Sequence, residues 1–279
     1  MTTATHTEST FEGVGGIEIF WQAWEPAGEV KAIVVLAHGV SEHSGRYAHV
    51  GEALAGSGYA FYALDHRGHG RSGRPKGRID RLDNAVADLL TFTELAHGKH
   101  PELKTFLLGH SMGGLIACVY ALEHPDTIDG LLLSGPAVSI EMVSSAELTV
   151  AKVLSELVPN LRLTKIEADA ISRDPAVVQA YLDDPLVDNG RIEVRLGGEI
   201  VKGAEGLPDR LSELRMPLLL LHGGDDKLTS PGGSKLIYEG SSSDDKTLEI
   251  YDGLFHEILN EPEQDRVIAD IVAWLDERA

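Results

Sequence analysis

Residues 105–124 read Thr105-Phe-Leu-Leu-Gly-His-Ser-Met-Gly-Gly-Leu-Ile-Ala-Cys-Val-Tyr-Ala-Leu-Glu-His124. Thr105 to Leu108 is an apolar run too short for a helix and without strict alternation. That is the pattern of a strand buried on both faces of a parallel sheet. From Leu115 to His124 the pattern becomes helical. Between the two stands Gly109-His-Ser-Met-Gly113, a G-x-S-x-G sequence. A serine on a sharp strand-to-helix turn is exposed at the carboxyl edge of the sheet. Small residues flank it because the turn is strained and the backbones pass closely. Ser111 is therefore the candidate nucleophile.

Similar short apolar runs lie on both sides of this stretch, at Ala32–Ala37, Ala60–Leu64, Leu131–Leu133, Pro217–Leu221 and Thr247–Tyr251. Helical patterns alternate with them at Tyr47–Ala55, Asp83–His97 and Glu263–Glu277. Such alternation predicts an α/β fold with a mostly parallel, doubly wound sheet. The alternation stops after Pro136, and from Ser145 to about Leu214 there is helical periodicity with no convincing strand. The expected organisation is a flexible tail over 1–10, a core over 11–138 and 215–279, and a helical cap over 139–214. Val150, Val153, Leu154, Leu157 and Val158 line one face of the cap, ending at Pro159. This face has two uses open to it, packing on the core or touching a lipid surface. Gly197, Gly198, Gly203 and Gly206 each cost a helix about 0.5–1 kcal/mol relative to alanine. That stretch reads as a plain loop or a weak, mobile helix.

The 279 residues carry 24 Lys plus Arg against 44 Asp plus Glu, a formal charge of −20. Such a surface repels phosphate backbones and anionic lipid, which argues against nucleic-acid binding and a polybasic membrane anchor. A hydrophobic share of 43% with 24% charged is globular rather than disordered. Cys118 is the single cysteine, so an internal disulfide is impossible and a reducing cytoplasm fits most simply. The first ten residues lack a basic and an apolar region, unlike a secretory signal. No apolar run approaches the roughly 18 residues of a membrane span.

A serine hydroxyl needs a base, and the base needs an orienting carboxylate. With the nucleophile on a strand-to-helix turn, the chain order is serine, acid, histidine. Only His124, His222 and His256 follow Ser111. His124 ends the nucleophile's own helix and His222 ends a strand. His256 sits in the loop after the last strand, where the base must come from. The acid belongs after the preceding strand, where Leu221-His-Gly-Gly-Asp-Asp226 offers Asp225 or Asp226. An oxyanion needs two N–H donors. One is Met112, directly after the nucleophile, and the other is Val40, beyond the turn at Gly39.

Gly68-His-Gly-Arg-Ser-Gly73 fits G-x-G-x-x-G and follows a strand, but no helix opens there to receive a pyrophosphate. A nucleotide cofactor is not expected. His66 with His69, and His97 with His100, lack metal-ligand spacing and read as solvated surface histidines. Cys118 reads as a small buried helix residue.

His38-Gly-Val-Ser-Glu-His-Ser-Gly-Arg-Tyr47, Asp65-His-Arg-Gly-His-Gly-Arg-Ser72, Gly109-His-Ser-Met-Gly-Gly114 and Asp183-Asp-Pro-Leu186 together resemble the monoacylglycerol lipase family. These are serine hydrolases of the α/β hydrolase fold. Ala170-Ile-Ser-Arg-Asp-Pro175 and Leu254-Phe-His-Glu257 bring the resemblance nearest to actinobacterial members. The resemblance places the acid on Asp226, agrees with Ser111 and His256, and supports Val40 and Met112. It further implies that Glu42, Arg46 and Tyr181 hold the glycerol end or shape its pocket, with His110 near the glycerol hydroxyls. Leu259 stands where mammalian members carry a second histidine, which leaves two readings: Asn260 serves as the polar group instead, or glycerol recognition is looser. The glycines at 197 and 198 stand where relatives usually have larger apolar residues. The implied substrate is a monoacylglycerol or similar lipid ester, hydrolysed without metal or cofactor. The cytoplasmic location expected from the single cysteine stands beside this, and the cap face keeps its two uses, packing on the core or transient contact with a membrane surface. The alternatives are a lysophospholipase or short-chain carboxylesterase and, in another class, a non-catalytic receptor on the same scaffold.

Overall fold

A computed structural model describes residues 4–139, 154–190 and 192–279. In chain order the elements are β1 (Thr5–Gly13), β2 (Ile17–Glu25), β3 (Ala32–Ala37), α1 (Ala48–Gly56), β4 (Tyr59–Leu64), α2 (Leu82–Lys99), β5 (Thr105–His110), α3 (Met112–Glu123) and β6 (Gly130–Ser134). They continue with β7 (Arg162–Thr164), α4 (Pro175–Asp183), β8 (Ile192–Glu193), α5 (Val194–Gly206), β9 (Leu218–Gly223), α6 (Pro231–Gly240), β10 (Lys246–Tyr251) and α7 (Gln264–Asp276). Eight strands form one sheet in the order β1-β2-β4-β3-β5-β6-β9-β10. β1 with β2 and β2 with β4 are antiparallel; the other pairs are parallel.

The unbroken apolar runs follow from burial on both faces. Along β3, Ile33, Val35 and Ala37 pack with Val86 and Leu89 of α2 and Leu115 and Ile116 of α3. Ala32, Val34 and Leu36 point the other way, into a layer with Val50 and Leu54 of α1 and Val267, Ile271 and Trp274 of α7. Each fully buried Val, Leu or Ile contributes about 1.5–3 kcal/mol of transfer free energy. The parallel strands all end at the edge where Ser111, Asp226 and His256 lie.

Two expectations are corrected. Where a flexible tail was expected over 1–10, Thr5 to Gly13 instead forms a strand that pairs along its length with β2, from Thr5 opposite Glu25 to Gly13 opposite Ile17. Its side chains are mostly exposed, so the pairing comes from backbone hydrogen bonds, helped by the β-branched Thr5, Thr7 and Thr10, rather than from a buried face. The turn uses Gly15 and Gly16, both at positive φ, as a tight hairpin requires. Within the segment before β9, β7 and β8 form a small antiparallel pair where helices alone were expected.

α5 is continuous through Gly197, Gly198 and Gly203 to Gly206. At Gly203 the helix crosses the core, and a Cβ there would lie 2.6 Å from Leu82 Cδ2 and 3.3 Å from a Leu115 methyl. At Gly197 the space is open. Gly203→Ala is therefore expected to lower the urea midpoint despite its gain in helix propensity. Gly197→Ala should raise stability by about 0.5–1 kcal/mol. Equal shifts in both variants would contradict this packing.

Val150 and Val153 of the anticipated cap face lie outside the described residues. Leu154 is half-buried, whereas Leu157 is 74% and Val158 41% exposed. Cys118 is buried, as read. His66 and His69 are buried rather than solvated, packed beside His38 with ring centroids 4.7 and 5.5 Å away. Among the described residues no three His, Cys, Asp or Glu side chains are placed to hold a metal. Nor does any described helix have the length and apolarity to cross a membrane.

Candidate active site

Ser111 caps the start of α3 with φ 53° and ψ −119°, a left-handed conformation that a non-glycine residue adopts only under constraint. The constraint is visible in its bonds. The Ser111 N–H donates to the Ser134 carbonyl at 3.0 Å, and its own carbonyl accepts from Leu115 at 3.2 Å and Ala137 at 3.0 Å. The glycine at 113 is demanded by close approach, since a Cβ there would lie 2.0 Å from the Ala37 carbonyl oxygen.

His256 follows β10, and its Nδ1 donates to Asp226 Oδ2 at 2.7 Å. Asp225 points outward and is exposed, so the fold brings Asp226 rather than its neighbour to the imidazole. Asp226 Oδ1 accepts from the backbone N–H of Leu228 at 2.8 Å and Thr229 at 3.0 Å. Oδ2 also lies 2.8 Å from the Thr229 hydroxyl and 3.1 Å from His222 Nε2. His222 is fixed in turn by Ser234, 2.8 Å from its Nδ1. Neither His222 nor Thr229 was singled out as a partner of the acid, although His222 stands four residues before it, at the end of β9.

Burial opposes the charge on Asp226, but hydrogen bonds from His222 and His256 outweigh it and hold the carboxyl far below the usual range. Burial also disfavours a charged His256, and the Asp226 contact more than compensates, raising the imidazole above its ordinary value. A buried carboxylate that makes its histidine more basic is what a general base requires. His110 is the opposite case. Its Nδ1 lies 3.2 Å from Ser134 Oγ, its ring is 4.7 Å from that of His256, and burial together with that ring pushes its pKa down to about 3.

Val40 lies beyond Gly39, whose N–H donates to Glu42 Oε1 at 2.5 Å. Met112 is the first residue of α3, so its N–H is at the helix N-terminus. Glu42 also accepts from the Tyr47 hydroxyl at 2.8 Å and from Arg46 at 3.0 Å. Arg46 stacks over the Tyr181 ring at 4.9 Å and makes two bonds to Glu257, at 2.6 and 2.7 Å. Glu257 is a functional candidate that the sequence reading passed over, although it adjoins His256.

A cavity of about 270 Å³ opens among these groups, lined by Val40, Ser111 and His256 and also by Glu42, His110, Tyr181 and Glu257. Ile166, Ile171, Ile192 and Ile200 bring an apolar wall from the segment between β6 and β9. Larger concavities lie elsewhere, but this one holds Ser111 and His256. Arg46 is not among its lining residues; it lies behind Glu42 and Tyr181.

The buried histidines give the fold an acid limit. Burial first, and the proximity of His69 and Arg67 second, depress His66 to about 3, as burial does His110. An unfolded histidine titrates near 6.5, so below that pH the unfolded chain binds more protons and stability falls. The loss accumulates from about pH 6.5 down to about 3. The urea midpoint should drop steadily across that window, and a flat profile from 6.5 to 4.5 would contradict the neutral buried state.

Residues 28–263 match the family described as serine aminopeptidase, S33 (Hydrolase_4). The chain is 41% identical to a monoacylglycerol lipase of Mycolicibacterium smegmatis over 276 residues, 99% of each chain. Among solved structures it is similar to a Paleococcus ferrophilus monoacylglycerol lipase, with TM-score 0.83 and 33% identity over 99% of this chain and 100% of that one. A soluble variant of the Saccharomyces cerevisiae monoglyceride lipase, solved with a substrate analogue, matches with TM-score 0.88 and 26% identity over 100% and 97% of the two chains.

Proposed function

The chain belongs to the monoacylglycerol lipase family of serine hydrolases, and from that premise we propose that it cleaves monoacylglycerols to fatty acid and glycerol through an acyl-enzyme. The observation that carries the reading is the 2.7 Å Asp226–His256 pair, whose histidine shares one cavity with the strained Ser111. His256 takes the Ser111 proton as the hydroxyl attacks the ester carbonyl. Asp226 holds the imidazole with Nδ1 protonated and stabilises the imidazolium. The N–H groups of Val40 and Met112 receive the oxyanion. His256 then protonates the departing glyceryl oxygen, activates water, and the acyl group leaves as fatty acid.

The isoleucine wall suits an acyl chain, and His110, Glu42 and Tyr181 suit a polyol, with Arg46 and Asn260 shaping that end through their bonds to Glu257. A peptide substrate would need a free anion for its α-amino group, and the carboxylates of Glu42 and Glu257 are both engaged by Arg46. The described part of the segment 139–214 acts as a cap, through Ile166, Ile171, Tyr181, Ile192 and Ile200 at the cavity. Its exposed Leu157 and Val158 rest on the lipid surface from which substrate is drawn.

The test is a panel of monoacylglycerols, diacylglycerols, lysophospholipids and nitrophenyl esters with purified protein. The expected outcome is the highest kcat/KM on monoacylglycerols; a preference for short water-soluble esters would defeat the lipid assignment. Leu157→Ser with Val158→Ser should weaken sedimentation with phosphatidylcholine vesicles while sparing nitrophenyl ester turnover. Unchanged sedimentation would remove the membrane role.

A further inference from the structure

The residue after the general base is joined to the oxyanion turn by an unbroken chain of charged groups. Glu257 grips Arg46 with both oxygens, at 2.6 and 2.7 Å. Arg46 Nη1 also donates to Glu42 Oε2 at 3.0 Å. Glu42 Oε1 then accepts the Gly39 N–H at 2.5 Å and the Tyr47 hydroxyl at 2.8 Å. Both carboxylates are nearly inaccessible, with side-chain exposures of 3% for Glu42 and 5% for Glu257. Asn260 donates to Glu257 Oε2 at 3.0 Å, anchoring the outer end.

The turn held at the inner end has little freedom of its own. A Cβ on Gly39 would lie 2.8 Å from Glu42 Oε1 and 3.1 Å from Ser111 Cβ, so the backbone passes directly over the nucleophile. Ser41, two residues on, has φ 64°. A strained turn persists only where its surroundings over-determine it. Here His38 Nδ1 lies 2.7 Å from the Gly39 carbonyl and Asp188 N–H donates to the Ser41 carbonyl, while Glu42 holds the Gly39 N–H and is the member that ties the turn to Arg46. A desolvated charge chain is often no more stable than apolar packing of the same shape. Its advantage is directional: the planar fork of arginine on a carboxylate fixes orientation as well as distance.

We propose that Glu257 is a positioning residue that, through Arg46 and Glu42, holds the Gly39–Val40 turn in register with the His256 loop, so that oxyanion donor and general base face the same carbonyl. The proposal rests on the serine-hydrolase reading of Ser111 and His256, and it extends that reading to a residue with no part in proton transfer. It also separates Glu42 and Arg46 from headgroup binding alone, because their charges are spent on the chain.

The test uses full-length Glu257→Gln, with an acyl nitrophenyl ester as substrate and fluorophosphonate labelling of Ser111 as a second readout. Neither probe contains glycerol. The expected result is a fall of about 10- to 100-fold in both kcat and the phosphonylation rate, with KM within about threefold, because a misplaced oxyanion donor weakens the transition state and not ground-state binding. Arg46→Met should give a similar loss, and the double variant no more than the larger single loss, since both act through one chain. Should Glu257→Gln not fold, Arg46→Lys, which keeps the charge but not the fork, is expected to show the same fall in kcat. Unchanged phosphonylation in a folded variant would overturn the proposal. So would a loss confined to KM for monoacylglycerol, which would make Glu257 a headgroup contact. Failure of the lipid assignment would appear in the headgroup panel and leave these two readouts intact.

Discussion

Ser111→Ala is expected to abolish turnover to within about 10³–10⁴-fold of the uncatalysed rate, a loss on the order of 10⁶-fold in kcat. The argument is geometric. Among the described residues, no other hydroxyl is carried by a strained strand-to-helix turn into the cavity that holds His256. What survives comes from the Val40 and Met112 N–H groups and from binding. The variant relieves part of the strain at φ 53° only if the backbone relaxes, and three hydrogen bonds to Ser134, Leu115 and Ala137 resist that. Its unfolding midpoint should therefore stay close to that of the parent. Steady-state hydrolysis of a monoacylglycerol with an intact unfolding transition checks both halves, and a normal rate would remove Ser111 from the mechanism.

Asp226→Asn is expected to cost about 10⁴-fold in kcat. Asp226 Oδ2 lies at 2.7 Å from His256 Nδ1, 2.8 Å from the Thr229 hydroxyl and 3.1 Å from His222 Nε2. An amide nitrogen at that position would meet donors. His256 could then accept from it only by moving its proton to Nε2, the nitrogen that must take the serine proton. With the amide turned round, the NH₂ faces the backbone N–H groups of Leu228 and Thr229, which leaves buried donors opposed. Either orientation is poor, so a loss of stability should accompany the loss of rate. Rates measured on the folded fraction, with unfolding followed separately, distinguish the two. A kcat within tenfold of the parent would show that the carboxylate does not set the tautomer.

Where the sequence was legible, the reason is local. The parallel strands are apolar throughout because both faces are covered, and β3 begins and ends at Ala32 and Ala37 as read. The glycine-serine-glycine turn can be recognised because close backbone approach leaves few alternatives at position 113. Asp226 and His256 follow from chain order and from the family resemblance, and geometry then separates Asp226 from Asp225. The first hairpin escaped notice because β1 is stabilised by its neighbour's backbone, not by a hydrophobic pattern; Gly15-Gly16 was the available signal. α6 was also passed over. Its signals were the Ser230 cap, which accepts from the Gly232 N–H, and Pro231 in the first turn. His66 and His69 looked like surface residues because nothing in a sequence distinguishes a solvated histidine from one packed against another buried ring. The chain from Glu257 to Gly39 spans residues more than two hundred positions apart, a relation that only the folded sheet edge creates.

The central claim is that Ser111, His256 and Asp226 act as one unit on an ester held in the cavity beside them. Its most direct test is fluorophosphonate treatment of the folded protein, with the adduct located by peptide mass spectrometry and monoacylglycerol as competitor. The account predicts one adduct per chain, on Ser111, formed more slowly as monoacylglycerol is added. Ester turnover with Ser111 unlabelled, or labelling that the lipid leaves unaffected, would contradict it.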